Sequence, residues 1–151
     1  MKVRKGLPKD LGFIVQCQLD MAMETENLQL EQEILLKGVR AVFDDPSKGQ
    51  YWVVEKDGAD SELMGMCLTV PEWSDWRNGV VVWIHSVFTL PKYRSFGVYR
   101  ILHSFLQDMV LKSPDLRGLR LYVDKRNTAA QKVYEKMGMN ADHYTLYEWL
   151  K

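Results

Sequence analysis

Apolar positions along the chain change period several times, and each change marks an element. Val3 opens a short strand over Met1 to Lys5, and Leu7-Pro8-Lys9-Asp10 then turns, with Asp10 placed to cap a helix. Leu11, Ile14, Val15, Leu19 and Ala22 fall at helical spacing. A second helix is expected from about Leu30 to Phe43, with Ile34, Leu35, Val39, Val42 and Phe43 as its inner face, ended by Asp44-Asp45-Pro46. Strands are expected at Tyr51 to Val54, Leu63 to Val70 and Val80 to Thr89, with Asp57-Gly58 in the first loop and Asn78-Gly79 as a hairpin signal. From Val98 the offsets 0, 3, 4, 7, 8, 11 and 12 (Val98, Ile101, Leu102, Phe105, Leu106, Met109, Val110) follow the helical template throughout, and Ser113-Pro114 stops it. A strand at Leu119 to Val123, a helix from Asn127 to Met137 ended by Gly138, and a strand from Tyr144 to Leu150 complete the pattern. The order β-α-α-β-β-β-α-β-α-β predicts an α/β (α+β) fold with a mixed sheet and helices on its faces.

Composition narrows this picture. The 151 residues fit one domain, 1–151, without repeats, low-complexity tracts or linkers. Twenty basic residues balance twenty acidic ones, so no net field draws the chain to nucleic acid or anionic lipid, and neither is an expected partner. No signal peptide or membrane-length apolar run is visible. Cys17 and Cys67 lie inside apolar segments and outside any CxxC pair, which predicts buried free thiols and fits a cytoplasmic protein. His85, His103 and His143 offer no three-ligand spacing, so no metal is expected. His103 falls off the apolar stripe of its helix and is expected to be exposed.

Two segments carry candidate chemistry. In Val87-Phe88-Thr89-Leu90-Pro91-Lys92-Tyr93-Arg94-Ser95-Phe96-Gly97-Val98-Tyr99 a strand ends, a one-glycine turn follows and a long helix begins. The first amides of a helix lack internal acceptors and point outward at the positive end of its dipole, a setting for a pyrophosphate that Gly97 lets approach closely and Arg94 can pair. A plain strand-to-helix turn reads equally well from this segment alone. In the second segment, Asn127 starts a helix and Tyr134 lies two turns along the same face. Taken singly, these are a cap and a core tyrosine as readily as ligand-binding groups.

Together, in this order and spacing, the segments resemble the GCN5-related N-acetyltransferase (GNAT) superfamily from about Val80 to Met139. Its phosphate-loop signature (Gln or Arg, two residues, Gly, one residue, Gly or Ala) falls on Arg94, Gly97 and Tyr99, where Tyr99 departs from the small residue of the pattern. Its Asn-x-x-Ala-x-x-x-Tyr-x-x-x-Gly helix falls on Asn127, Ala130, Tyr134 and Gly138. The resemblance implies a mostly antiparallel sheet flanked by about four helices, and acetyl-CoA as acyl donor. It implies cofactor contacts at Val87 to Thr89, Arg94 to Tyr99, Asn127 and Tyr134. It further implies direct transfer to an amine (a small amine, amino acid or related metabolite), with Tyr134 protonating the leaving thiolate. A non-catalytic acyl-CoA-binding or interaction module is the alternative.

The base and the acceptor site are less defined. Glu24, Glu26, Glu72, Asp75 and His85 are the candidate bases by residue type. Glu24 and Glu26 belong to Met23 to Asn27, read as the loop between the first two helices, which in the superfamily borders the acceptor. Trp73 and Trp76, with Glu72 and Asp75, make an aromatic and acidic hairpin suited either to a cationic amine or to packing on the sheet or on a second copy of the chain.

Overall fold

The computed structural model describes residues 1–58 and 61–151. Five strands form one sheet in the order β1-β2-β3-β4-β5: β1 Lys2–Lys5, β2 Gln50–Glu55, β3 Leu63–Ser74, β4 Gly79–Thr89 and β5 Leu116–Leu121. The first four pair antiparallel and β5 runs parallel to β4. The helices are α1 Leu11–Glu26, α2 Gln32–Asp44, α3 Val98–Lys112 and α4 Thr128–Lys136.

Alternation along β2 assigns the helices to opposite faces. Tyr51 and Val53 pack with Ile14, Val15, Cys17 and Val39 under α1 and α2. Trp52 and Val54 pack with Leu102 and Leu106 under α3. Each fully buried aliphatic side chain contributes about 1.5–3 kcal/mol. Arg4 ties the sheet edge to the first helix: its guanidinium bridges Asp10 at 2.7 Å and Glu55 at 3.2 Å. Asp10 therefore turns to Arg4 and to the Leu7 N–H (2.8 Å) rather than capping α1 with its side chain.

Further expectations are corrected. The segment Tyr144 to Leu150 forms no strand, because no neighbouring strand supplies a ladder for it. Glu24 and Glu26 lie in the last turn of α1, not in a loop; the left-handed Asn27 (φ 53°) ends that helix later than the apolar stripe indicates. Ile34 is 63% exposed, because the first turn of α2 reaches beyond the packed cluster. His103 is fully buried, because α4 covers the flank of α3 outside its apolar stripe, as the Gln107 to Met137 carbonyl hydrogen bond (3.0 Å) records. Cys17 and Cys67 are buried free thiols, and desolvation pushes the Cys17 thiol up to about 12.

Candidate active site

The site begins at a fault in β4. Leu68 faces His85 and Met66 faces Phe88, so Ser86 and Val87 together oppose Cys67: one extra residue, a β-bulge. Ser86 takes a left-handed φ of 51°, uncommon outside glycine, and the bulge re-aims the strand there. On the other side, pairing with β5 ends at Ile84 and Leu121. Beyond that pair the two parallel strands diverge, and the β4 backbone from His85 to Thr89 has no strand partner on that edge.

A cavity of about 180 Å³ opens in the gap. Ser86 and Val87 line it from β4, Tyr122 from the end of β5, Thr25 from α1, and Asn127 and Tyr134 from α4. Asn127 is the N-cap of α4, its side-chain oxygen accepting from the Ala130 N–H at 3.0 Å. Tyr134 is half-buried, and burial pushes its phenol above the ordinary range, so it holds its proton.

At the end of β4 the chain turns through Arg94, Ser95 and Phe96 into α3. Ser95 (φ 69°) and Gly97 (φ 81°) are left-handed, and no side chain caps the helix. The first hydrogen bond back into α3 is that of Ile101 N–H to the Gly97 carbonyl (3.1 Å), which leaves the amides before it free of helical acceptors. A β-carbon built at Gly97 meets nothing within 4 Å, so the approach to these amides is open. Tyr99 does not fill that approach. Its hydroxyl bonds His103 Nδ1 at 2.9 Å and its ring stands edge-on to Tyr134 with centroids 5.5 Å apart. The residue that departs from the phosphate-loop pattern thus braces the α4 tyrosine.

Other predicted residues sit elsewhere. Arg94 holds Glu24 at 2.6 Å and reaches the Thr89 carbonyl at 3.2 Å, so Glu24 is joined to the phosphate-loop arginine. Phe88 is core, with the Arg94 guanidinium over its ring. Phe96 is exposed, and Glu26 lies at the end of α1. Trp73, Asp75 and Trp76 are at the β3–β4 turn, about 30 Å from the α3 turn at the rise of a strand. Glu72 lies between: it accepts from Trp83 Nε1 at 2.7 Å and pairs with Arg120 at 2.8 Å. His85 is not among the cavity's lining residues, but its ring stands edge-on to that of the lining Tyr122 at 5.9 Å. Burial holds its pKa below the ordinary histidine range, which keeps the imidazole neutral. Ser86, Thr25 and Tyr122 are lining residues that no sequence motif marks; the unequal register of β3 and β4 is what reveals Ser86. Among the described residues no cluster of three or more His, Cys, Asp or Glu has metal-binding geometry, and no helix is long and apolar enough to cross a membrane.

His103 gives a pH test of this packing. It is fully buried, and its Nε2 has no hydrogen-bond partner among the described residues. Desolvation lowers its pKa, as it does that of His85. A depressed histidine pKa means that the unfolded chain binds the proton more readily. The stability involved is present above the unfolded value of about 6.5 and is lost as pH falls toward the folded value. Thermal melts should show Tm falling between pH 7 and 5, with a shallower slope in His103→Gln; equal slopes would remove His103 from this role.

The family model for the acetyltransferase (GNAT) family matches residues 18–139. The chain belongs to this family. Among solved structures, a possible acetyltransferase from Clostridium difficile 630 is 33% identical, with a TM-score of 0.91 over 99% of this chain and 97% of that one. A probable acetyltransferase is 19% identical, with a TM-score of 0.85 over the full length of both chains. A predicted acetyltransferase from Clostridium acetobutylicum, crystallised with acetyl-CoA, is 15% identical with a TM-score of 0.74 over 97% and 95% of the two chains; it shows the shared fold. No curated protein matches. Acetyl-CoA is the acyl donor of this family.

Proposed function

We propose that the protein transfers an acetyl group from acetyl-CoA directly to an amine, with a small amine, amino acid or related metabolite as acceptor. One observation carries this reading: the cavity where β4 and β5 part joins the free β4 backbone to Tyr134 and Asn127, and the uncapped α3 N-terminus lies at the end of the same strand. A pantetheine arm carries amides that need backbone partners, and the β4 edge from His85 to Thr89 has them to offer. A pyrophosphate needs convergent N–H donors and positive charge, and the α3 turn with Arg94 supplies both.

When bound, acetyl-CoA supplies a thioester carbonyl activated toward amines. The chain's own groups do the rest. A β4 amide at the bulge polarises the carbonyl oxygen. Tyr134, kept protonated by burial, donates its proton to the departing sulfur. His85, neutral and beside Tyr122 at the cavity wall, takes the proton from the incoming amine. The amine nitrogen gains the acetyl group and loses a proton, the sulfur gains one, and no enzyme nucleophile is involved.

Incubation with acetyl-CoA and a panel of amines, followed by thiol release, tests the reaction. Release with at least one amine is expected; tight CoA binding without release from any amine would leave only a binding module. Arg94→Ala should weaken CoA binding roughly tenfold, the order expected for one charged hydrogen bond to a phosphate. Measured by calorimetric titration, an unchanged Kd with altered turnover would place the phosphates elsewhere.

A further inference from the structure

A polar and aromatic cluster lies on the sheet beside the cavity where β4 and β5 part. Ile84 of β4 packs under α3, so its neighbours Trp83 and His85 point to the opposite face, the one that carries α1 and α2. Arg120 of β5 is level with Trp83 in the parallel register, and Tyr122 follows two residues on. The rings of Trp83 and Tyr122 meet with centroids 4.5 Å apart, and Tyr122 also lines the cavity, together with Thr25 of α1. The cluster therefore runs unbroken from the cavity wall back along β4 and β5 to Arg120.

The hydrogen-bonding capacity of this cluster is unevenly used. Glu72 accepts from Trp83 Nε1 at 2.7 Å with one oxygen and from Arg120 at 2.8 Å with the other, so both its oxygens are engaged. Arg120 gives Glu72 a single N–H, and among the described residues its remaining side-chain N–H groups have no acceptor. Its guanidinium lies 5.7 Å from the ring centroids of both Trp83 and Tyr144, which fix it by cation–π attraction. Its side chain is 31% exposed and can be reached from solvent. A positioned guanidinium with N–H groups to spare suits a carboxylate, which it binds through two parallel bonds. A cation is served less well, because the charge of Glu72 is already met by Arg120.

We infer that the acceptor carries a carboxylate separated from its amine by a short apolar chain, and that Arg120 binds this carboxylate while the amine sits at the cavity; this rests on acetyl transfer taking place there. Along the chain, Arg120 and Tyr122 are about 7 Å apart at the rise of a strand. An α-amino acid holds its amine and carboxylate on one carbon and does not span that distance. An ω-amino acid does, and so does a basic amino acid that reacts at its side-chain amine. The methylenes of such an acceptor lie on the rings of Trp83 and Tyr122, which form the floor between the two places. Glu72 is a positioning residue in this arrangement: it holds Arg120 beside Trp83, and its own charge moderates the attraction for the carboxylate.

Thiol release with ε-aminocaproate, n-hexylamine and glycine, each with acetyl-CoA, tests the assignment. The kcat/KM for ε-aminocaproate should exceed those for n-hexylamine and glycine by roughly tenfold or more, the order of one charge-assisted pair. Arg120→Gln should raise the KM for ε-aminocaproate roughly tenfold and leave its kcat, and both constants for n-hexylamine, within about twofold. Glu72→Gln keeps an oxygen for Trp83 and removes the competing charge, so it should lower the KM for ε-aminocaproate; a raised KM for both amines would make Glu72 the amine-binding group and overturn the assignment. Equal use of ε-aminocaproate and n-hexylamine, or a preference that survives Arg120→Gln, would overturn the carboxylate site and leave acetyl transfer standing. Binding is read separately from turnover by titrating ε-aminocaproate into the CoA-loaded protein. The Trp83 indole N–H resonance should shift, and the shift should vanish in Arg120→Gln with unchanged circular dichroism. Absence of thiol release from every amine would overturn acetyl transfer itself, whereas absence of the Trp83 shift would overturn the Arg120 site whether or not thiol is released.

Discussion

Tyr134→Phe should lower the rate of acetyl transfer by roughly 10²- to 10⁴-fold, the range for removing a positioned general acid. The substitution deletes one oxygen and keeps the ring. The edge-on contact with Tyr99 at 5.5 Å survives, so α4 stays braced and the cavity keeps its shape. CoA affinity should accordingly change by less than about threefold, since only the proton donor is lost. Burial already holds the Tyr134 phenol protonated, which is the state needed to supply a thiolate with a proton. Thiol-release kinetics beside a direct binding titration separate the two quantities. An unchanged rate would remove Tyr134 from the acid role; an equal loss in affinity and rate would make it a binding residue.

The largest loss of stability is expected from Leu106→Ala, at about 2–5 kcal/mol. Leu106 is completely buried between α3 and the sheet, in a cluster with Trp52, Val54, Cys67 and Leu102. Truncation removes three carbons from a site whose walls are strand backbone on one side and helix on the other, so little collapse can refill the space. Because α3 carries the open N-terminus at its other end, slackening of this cluster also loosens the phosphate turn. Urea unfolding should show the lower midpoint with an unchanged m-value. A loss under 1 kcal/mol would mean that α3 is not held by this cluster.

Elements whose signals are local were legible. The seven offsets from Val98 to Val110 determine α3 because a helix buries a stripe of its own residues. Asn78-Gly79 marks the β3–β4 turn because Asn78 adopts a left-handed φ of 44° that few residues accept. Asn127 caps α4 through its own third-following amide, again a local bond. What was not legible depends on distant partners. Val80 to Thr89 reads as one even strand, and its bulge exists only relative to the register of β3. Glu24 and Arg94 are seventy positions apart, and their pairing follows from the way α1 crosses the sheet. His103 reads as exposed from its own helix because the surface that covers it belongs to α4. The Tyr144 to Leu150 run has the composition of a strand, but a strand exists only where another supplies its hydrogen bonds.

Amide chemical shifts during an acetyl-CoA titration test the central claim most directly. The placement predicts shifts at Ser86 to Thr89, Arg94 to Tyr99, Asn127 and Tyr134, where the strands part and α3 begins. A second cavity of about 280 Å³, lined by Trp52, Val82, Met109 and Leu116, lies toward the opposite end of the sheet. No binding, or shifts centred on that second cavity, would contradict the placement of the acyl-CoA site between β4 and β5.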